Sequence, residues 1–213
     1  PTALVTVWPS VTDDLQADDL STRLRAVKLF RRVFAYEGST TAEDYPHLLL
    51  EFVRRFNDKA VEVRAEMIKW SSKFLKTRVD PNAALTSVPA ATVMKQLRER
   101  LHDFDDTIRT ASINALCDVL DKPTSTEIFP HDLVLEIGER IKDKKSGVRK
   151  TALKRLCIAH GACAEAGAQK EPEREMKRFD GIPGAHLRGI TIPVGVLNAG
   201  DRLVAMLFTA KMA

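Results

Sequence analysis

An arginine returns along this chain at a spacing that singles out one kind of architecture. It stands at Arg23 in STRLRAVKLF, Arg64 in VEVRAEMIKW, Arg109 in DTIRTASINAL and Arg149 in SGVRKTALKRL, at separations of 41, 45 and 40 residues. Counting back 16, 12 and 8 positions from each arginine reaches Val7, Val11 and Leu15, then Leu48, Phe52 and Phe56, then Val93, Leu97 and Leu101, then Leu133, Ile137 and Ile141. Every one is apolar. Positions four apart share one face of an α-helix, so each set predicts the buried stripe of a first helix. Four residues after the arginines come Val27, Ile68, Ile113 and Leu153, and seven after come Phe30, Leu116 and Leu156, with Ser71 the exception. These open the apolar stripe of a second helix.

The punctuation follows the same period. Pro46, Pro89 and Pro130 each precede a first-helix stripe, where a missing N–H costs nothing and the fixed φ favours a helix start. Pro9 falls inside the first stripe, so the first unit is expected to be broken or incomplete at its beginning. Asp58, Asp103 and Asp143 each stand six residues before their arginine, in the turn between the helices, while the first unit has Ala17 there beside Asp18. A carboxylate in that turn accepts backbone N–H bonds and faces the positive end of the second helix. Units of this length built from two helices follow the HEAT and armadillo pattern, roughly 40 to 47 residues each. No such pair can bury its apolar face alone, so neighbours stack in series. The expectation is an all-α chain, an α-α superhelix of HEAT type with about four helix pairs in a right-handed solenoid over residues 1–163, without strand pattern up to residue 160.

Beyond that region the period stops. Residues 164–178 are highly charged and read as a linker or a loose helix, and residues 179–213 read as a glycine-rich, irregular tail in which ITIPVGVL resembles a short strand. With 44% hydrophobic and 29% charged residues the chain has globular composition. Aromatics are sparse, at 6%, which suits an aliphatic core between helices. Three cysteines make no disulfide framework and favour a reducing compartment. No apolar run approaches the roughly 20 residues of a membrane-spanning helix, so the chain reads as intracellular and soluble. A start at Pro1 without Met is what a fragment or a processed chain would show.

Catalysis finds no residues to carry it. There is no phosphate-cradling glycine loop, no H-E-x-x-H and no G-x-S-x-G elbow. Asp103, Asp105 and Asp106 cluster in a turn between helices, where capping explains them. Cys157, His160 and Cys163 form C-x2-H-x2-C, but a closed zinc site takes four ligands. Cys117 and Cys157 both fall eight residues after their arginine, as small second-helix residues would. The reading is a non-enzyme without cofactor or metal.

Beyond period and composition, particular runs carry a family likeness. VWPSVTDDLQADDLSTRLRAVKLF, EFVRRFNDKAVEVR, RERLHDFDDTIRTASINALCDV and IGERIKDKKSGVRKTALKRL, in that order and followed by KRFDGIPGAHL, resemble the sister-chromatid-cohesion HEAT-repeat family, the "precocious dissociation of sisters" proteins, and plant members most of all. The likeness covers about residues 5 to 188, a small part of a usually much longer protein, and ends before ITIPVGVLNAGDRLVAMLFTAKMA. It implies a nuclear, chromatin-associated scaffold that regulates cohesin, with cohesin subunits and cohesin-releasing or stabilising factors as partners and roles in mitosis, meiosis and DNA repair. A HEAT adaptor acting outside chromatin is the alternative.

Three sets of residues are candidates for sites. Asp58, Arg64, Asp103, Arg109, Asp143 and Arg149, together with Arg23, read as an inter-repeat ladder of charge-assisted hydrogen bonds, hence architecture. Arg55 and Arg100, with Arg140, recur nine residues before a ladder arginine and either line a surface or flank a helix in solvent. Between Arg140 and Arg155 eight basic residues face Asp143 alone, and Arg140, Lys142, Lys144, Lys145, Lys150, Lys154 and Arg155 form the candidate partner-binding patch. A net charge of +4 falls short of a nucleic-acid-binding signature, leaving direct DNA contact as a weak, salt-sensitive possibility.

Overall fold

The computed structural model describes residues 12–36, 39–78, 88–120 and 131–167. Val7, Pro9, Val11 and Pro130 lie outside them, as do the tail and all but the first four residues of the expected linker. Among the described residues every regular element is helical and none is a strand. The chain divides into two compact units, Pro1–Val119 and Leu120–Ala213.

The first unit contains α1 (residues 12–16), α2 (Leu20–Phe34), α3 (Thr41–Asp44), α4 (Pro46–Val53), α5 (Val61–Arg78), α6 (Val88–Glu99) and α7 (Asp106–Leu120). The second contains α8 (His131–Glu139) and α9 (Ser146–Gly167), so residues 164–167 continue a helix. α2 shows why these segments are helical. Asp19 caps it by accepting from Thr22 N at 2.7 Å, Arg31 and Arg32 occupy the last turn, and Arg23, Ala26, Val27, Phe30 and Phe34 form its buried face. The cap fills an orphan donor and the terminal arginines complement the helix dipole. Pro46 opens α4 at its first position, and α3 is a short extra turn ahead of it that the repeat pattern does not announce.

The first helices do not run as α-helix to the end of their stripe. Their last turns tighten into 3₁₀ helix at Arg54–Asn57, Arg100–His102 and Arg140–Lys142. Each then breaks at the ladder aspartate, extended at φ −61° and ψ 145° for Asp58, −56° and 145° for Asp103, and −58° and 146° for Asp143. Phe56, Leu101 and Ile141, the last stripe residues, stay buried inside these turns.

In the first unit, helix pairs pack neighbour upon neighbour. α2 lies on α5 and α4 on α6. Polar links follow the same order: Gln16 to Glu51 at 3.3 Å and Asn57 to Gln96 at 3.2 Å join first helices, while Arg31 to Glu66 at 2.6 Å and Lys76 to Asp118 at 3.3 Å join second helices. The core here is not the aliphatic one expected from composition. The few aromatics are gathered: Trp70 meets Phe52 edge-on at 4.7 Å and Phe74 at 4.8 Å, and Phe30, Phe34 and Phe52 lie 5.5 to 5.8 Å apart. Each such pair adds about 0.5 to 1.5 kcal/mol beyond the area it buries. Trp70 also accounts for the polar exception beside it. The indole fills the interior, and Ser71 is buried with its hydroxyl donating to Ile68 O at 2.8 Å.

Candidate functional site

Each turn between paired helices is built around one aspartate. The Asp58 carboxylate accepts from Ala60 N at 2.9 Å, from Arg55 Nη1 at 3.3 Å, and from Arg23 through Nε at 3.0 Å and Nη2 at 3.3 Å. Asp103 repeats this with Asp105 N at 2.9 Å, Arg100 Nη1 at 3.3 Å and Arg64 Nη2 at 3.0 Å. Arg64 Nε also lies 3.0 Å from Asp103 Oδ2, close enough for ion pairing but not aligned as a hydrogen bond. The arginine that follows each aspartate turns back on the same turn. Arg64 Nη1 donates to Asp58 O at 2.8 Å, Arg109 Nη1 to Asp103 O at 2.7 Å, and Arg149 Nη1 to Asp143 O at 2.8 Å.

The structure places the second arginine set inside this network. Arg55 Nη1 donates to Leu15 O and Arg100 Nη1 to Phe56 O, both at 3.0 Å, reaching the preceding helix pair. Their side chains are only 21% and 15% exposed, too committed to lie loose along a surface. Arg140 is half-buried with Nη1 4.0 Å from Asp143 Oδ2.

Phe104 is a feature the repeat pattern gives no reason to single out. It is 77% exposed, and the buried Arg64 guanidinium sits 4.5 Å from its ring centroid, so a solvent-facing aromatic covers the Arg64 to Asp103 pair. The available signal is an aromatic directly after a ladder aspartate, where the other turns carry Lys59 and Lys144.

The basic patch is gathered on the α8 to α9 turn and the first turns of α9. Lys142, Lys144, Lys145, Lys150 and Lys154 are exposed, whereas Arg140, Arg149 and Arg155 are half-buried. Lys150 and Lys154 are one helical turn apart and so share a face. Lys142 Nζ lies 3.6 Å from Glu139 Oε2, a surface pair worth about 0 to 1 kcal/mol. Asp143 is occupied by its own turn, accepting from Lys145 N at 2.9 Å.

This turn breaks a local rule that the others keep. Asp19 precedes α2 and Asp105 precedes α7, each accepting side-chain and backbone bonds from the first turn. Their carboxyls are held below the ordinary range, Asp19 by the Ser21 and Thr22 hydroxyls and Thr22 N–H, and Asp105 first by the Thr107 hydroxyl. α5 carries Glu62 in its first turn. α9 has Lys145 at the cap position and no acidic residue in its first turn. Positive charge at a helix N-terminus opposes the dipole by a few tenths of a kcal/mol or more.

The Cys157, His160 and Cys163 side chains lie outside the described residues, although the α9 backbone runs through them. Among the described residues no cluster of His, Cys, Asp and Glu could hold a metal ion, and no helix is long and apolar enough to cross a membrane.

With this geometry in place, similarity to known proteins is specific. The family profile described as "Sister chromatid cohesion protein PDS5 protein" matches residues 1–201. "Sister chromatid cohesion protein PDS5 homolog A" of Arabidopsis thaliana is 33% identical over 189 residues, covering 88% of this chain and 11% of that protein. "Sister chromatid cohesion protein pds5" of Schizosaccharomyces pombe is 29% identical over 156 residues, covering 73% and 12%, and the Homo sapiens "PDS5 homolog A" is 29% identical over 177 residues, covering 80% and 12%. The chain thus spans about a tenth of the length of these relatives. A profile match across nearly the whole sequence, over helix pairs of the HEAT kind, leads to one conclusion: the chain belongs to the PDS5 family of sister chromatid cohesion proteins.

Proposed function

We propose that this chain is a non-catalytic scaffold segment acting in sister chromatid cohesion, in the nucleus and on chromatin, by holding protein partners. The partners are cohesin subunits and the factors that release or stabilise cohesin. Family membership supports the setting. The observation that carries the mode of action is the α8 to α9 turn, where exposed Lys145 stands at the position that Asp19 takes before α2 and Asp105 before α7, with exposed Lys144 beside it. Clustered exposed lysines raise the encounter rate with acidic partners and set a salt dependence.

The test is a pull-down of the cohesin kleisin with the wild-type chain and with the Lys142→Glu, Lys144→Glu, Lys145→Glu variant. Charge reversal is expected to weaken capture without lowering the urea-unfolding midpoint, since carboxylates at the start of α9 favour the helix. Equal capture by both proteins at every salt concentration contradicts the reading. The same patch makes phosphate backbone a second, weaker ligand, tested by a salt titration with duplex DNA.

A further inference from the structure

Two arginines in the first unit divide their guanidinium groups between two tasks. Arg23 gives Nη1 to its own turn, at 2.7 Å from both Ala17 O and Asp18 O, and presents Nε and Nη2 to the carboxylate of Asp58, 35 residues on. Arg64 gives Nη1 to Asp58 O at 2.8 Å and Lys59 O at 3.3 Å, and presents the other edge to Asp103, 39 residues on. That edge is a fork that matches a carboxylate, which is why arginine rather than lysine suits the position.

Arg149 performs the first task in the same way. Its Nη1 donates to Asp143 O at 2.8 Å and Lys144 O at 3.1 Å. Among the described residues no carboxylate meets its Nε and Nη2. The side chain is half-buried, whereas Arg23 and Arg64 are 3% and 1% exposed. Nor does the sequence supply a carboxylate at the ladder's spacing. Positions 35 to 39 residues beyond Arg149 read GAHLR. The nearest later aspartate, Asp180, has Arg178, Arg174 and Lys170 where a ladder aspartate has its apolar stripe.

Around this edge of Arg149 stand the exposed Lys144, Lys145, Lys150 and Lys154, and the first turn of α9 has no acid to compete. We infer that Arg149 is the specificity-determining residue of this surface: its Nε and Nη2 edge takes an aspartate or glutamate side chain from an acidic polypeptide partner, in the geometry Arg23 and Arg64 use internally. The inference rests on the basic turn being a binding surface. The lysines supply attraction at a distance, and the fork selects a carboxylate at contact. A carboxylate is favoured over phosphate because the same edge, held by the same turn carbonyls, binds a carboxylate in Arg23 and in Arg64.

The experiment uses the full chain and a fluorescein-labelled poly-aspartate peptide, with duplex DNA as the competing class. Arg149→Lys keeps the charge and loses the fork, and is expected to weaken peptide binding about tenfold, the worth of one charge-assisted bidentate contact. The slope of log Kd against log salt should stay the same, since the number of charges does not change. Lys144→Glu with Lys145→Glu should lower both the affinity and the slope. In the wild-type protein the Arg149 Nε–Hε NMR resonance should shift on peptide addition, a readout that needs no variant and that a purely structural arginine would not give. An unshifted resonance, or Arg149→Lys binding as wild type while the lysine reversals weaken it, overturns the role of Arg149 and leaves the basic turn standing. If the lysine reversals also have no effect, both fall. Equal loss of DNA and peptide binding in Arg149→Lys overturns carboxylate selection.

Discussion

Arg64 and Asp103 stand 39 residues apart in sequence, yet Arg64 Nη2 meets Asp103 Oδ1 at 3.0 Å in a pair that is almost wholly buried. Through Nη1 the same guanidinium holds Asp58 O at 2.8 Å. One side chain therefore clamps two successive turns, and Arg23 does the same one pair earlier. Burying charges carries a desolvation cost, and here each aspartate offsets it with bonds from two arginines and one backbone N–H. Removing one member would leave an uncompensated charge, which typically costs about 3 to 5 kcal/mol.

The aromatic cluster makes Trp70 the residue whose loss should be felt most in the apolar core. Trp70→Ala opens a cavity between Phe52, Phe56 and Phe74 and should cost about 3 to 5 kcal/mol. Trp70→Phe should lie within about 1 kcal/mol of wild type. It gives up contact area but removes a buried indole N–H that meets no acceptor among the described residues, itself a penalty of about 1 to 3 kcal/mol. Urea unfolding of the three proteins, followed by far-UV circular dichroism, measures both. Equal destabilisation by the two substitutions would mean that the indole N–H finds an acceptor.

Lys145 should show opposed effects on stability and binding. Lys145→Asp installs the cap that Asp19 and Asp105 provide elsewhere, and should stabilise α9 by about 0.5 to 2 kcal/mol. It should also weaken association with an acidic partner. Hydrogen exchange across α9 and peptide binding, on the same sample, check the pair of outcomes. A variant that gains neither protection nor a binding defect would contradict the functional reading of this turn.

Acid should loosen particular helix starts before it unfolds the protein. The Asp19 and Asp105 carboxyls titrate below the ordinary value of about 3.9 because the folded state bonds their ionised forms. Their contribution is therefore fully present above about pH 4 and disappears as pH falls below it. Amide exchange at the starts of α2 and α7 should be unchanged between pH 7 and 5, after correction for intrinsic rates, and should accelerate below about pH 4. Asp19→Asn should flatten the response in α2 alone.

Much of this was readable in the sequence because a repeat reports on itself several times. The i, i+4, i+8 stripes identify the buried faces, since burial depends on the face a residue occupies. The register of Asp58, Asp103 and Asp143 against their arginines identifies residues that play the same part in their own turns. The direction of Arg55 and Arg100 was not legible: both lie in the 3₁₀ turns that end their first helices, and apolar periodicity is blind to the difference between α and 3₁₀. Trp70 and Phe74 escape a pattern anchored on positions four and seven after the arginine, because the buried face of α5 is broad and takes in Val63, Met67, Trp70 and Phe74 beside Ile68, while Glu62, Lys69 and Lys73 face solvent. In the basic turn, charge marked the patch. Separating its five exposed lysines from the half-buried arginines required coordinates.

The central claim is that successive helix pairs are locked by arginine and aspartate across the turns, and a double-mutant cycle on Arg64 and Asp103 tests it most directly. Arg64→Ala, Asp103→Ala and the double variant are compared with wild type in urea unfolding. A coupling of about 1 to 3 kcal/mol is expected between these two residues so distant in sequence. Free-energy changes that add to within about 0.5 kcal/mol would contradict it.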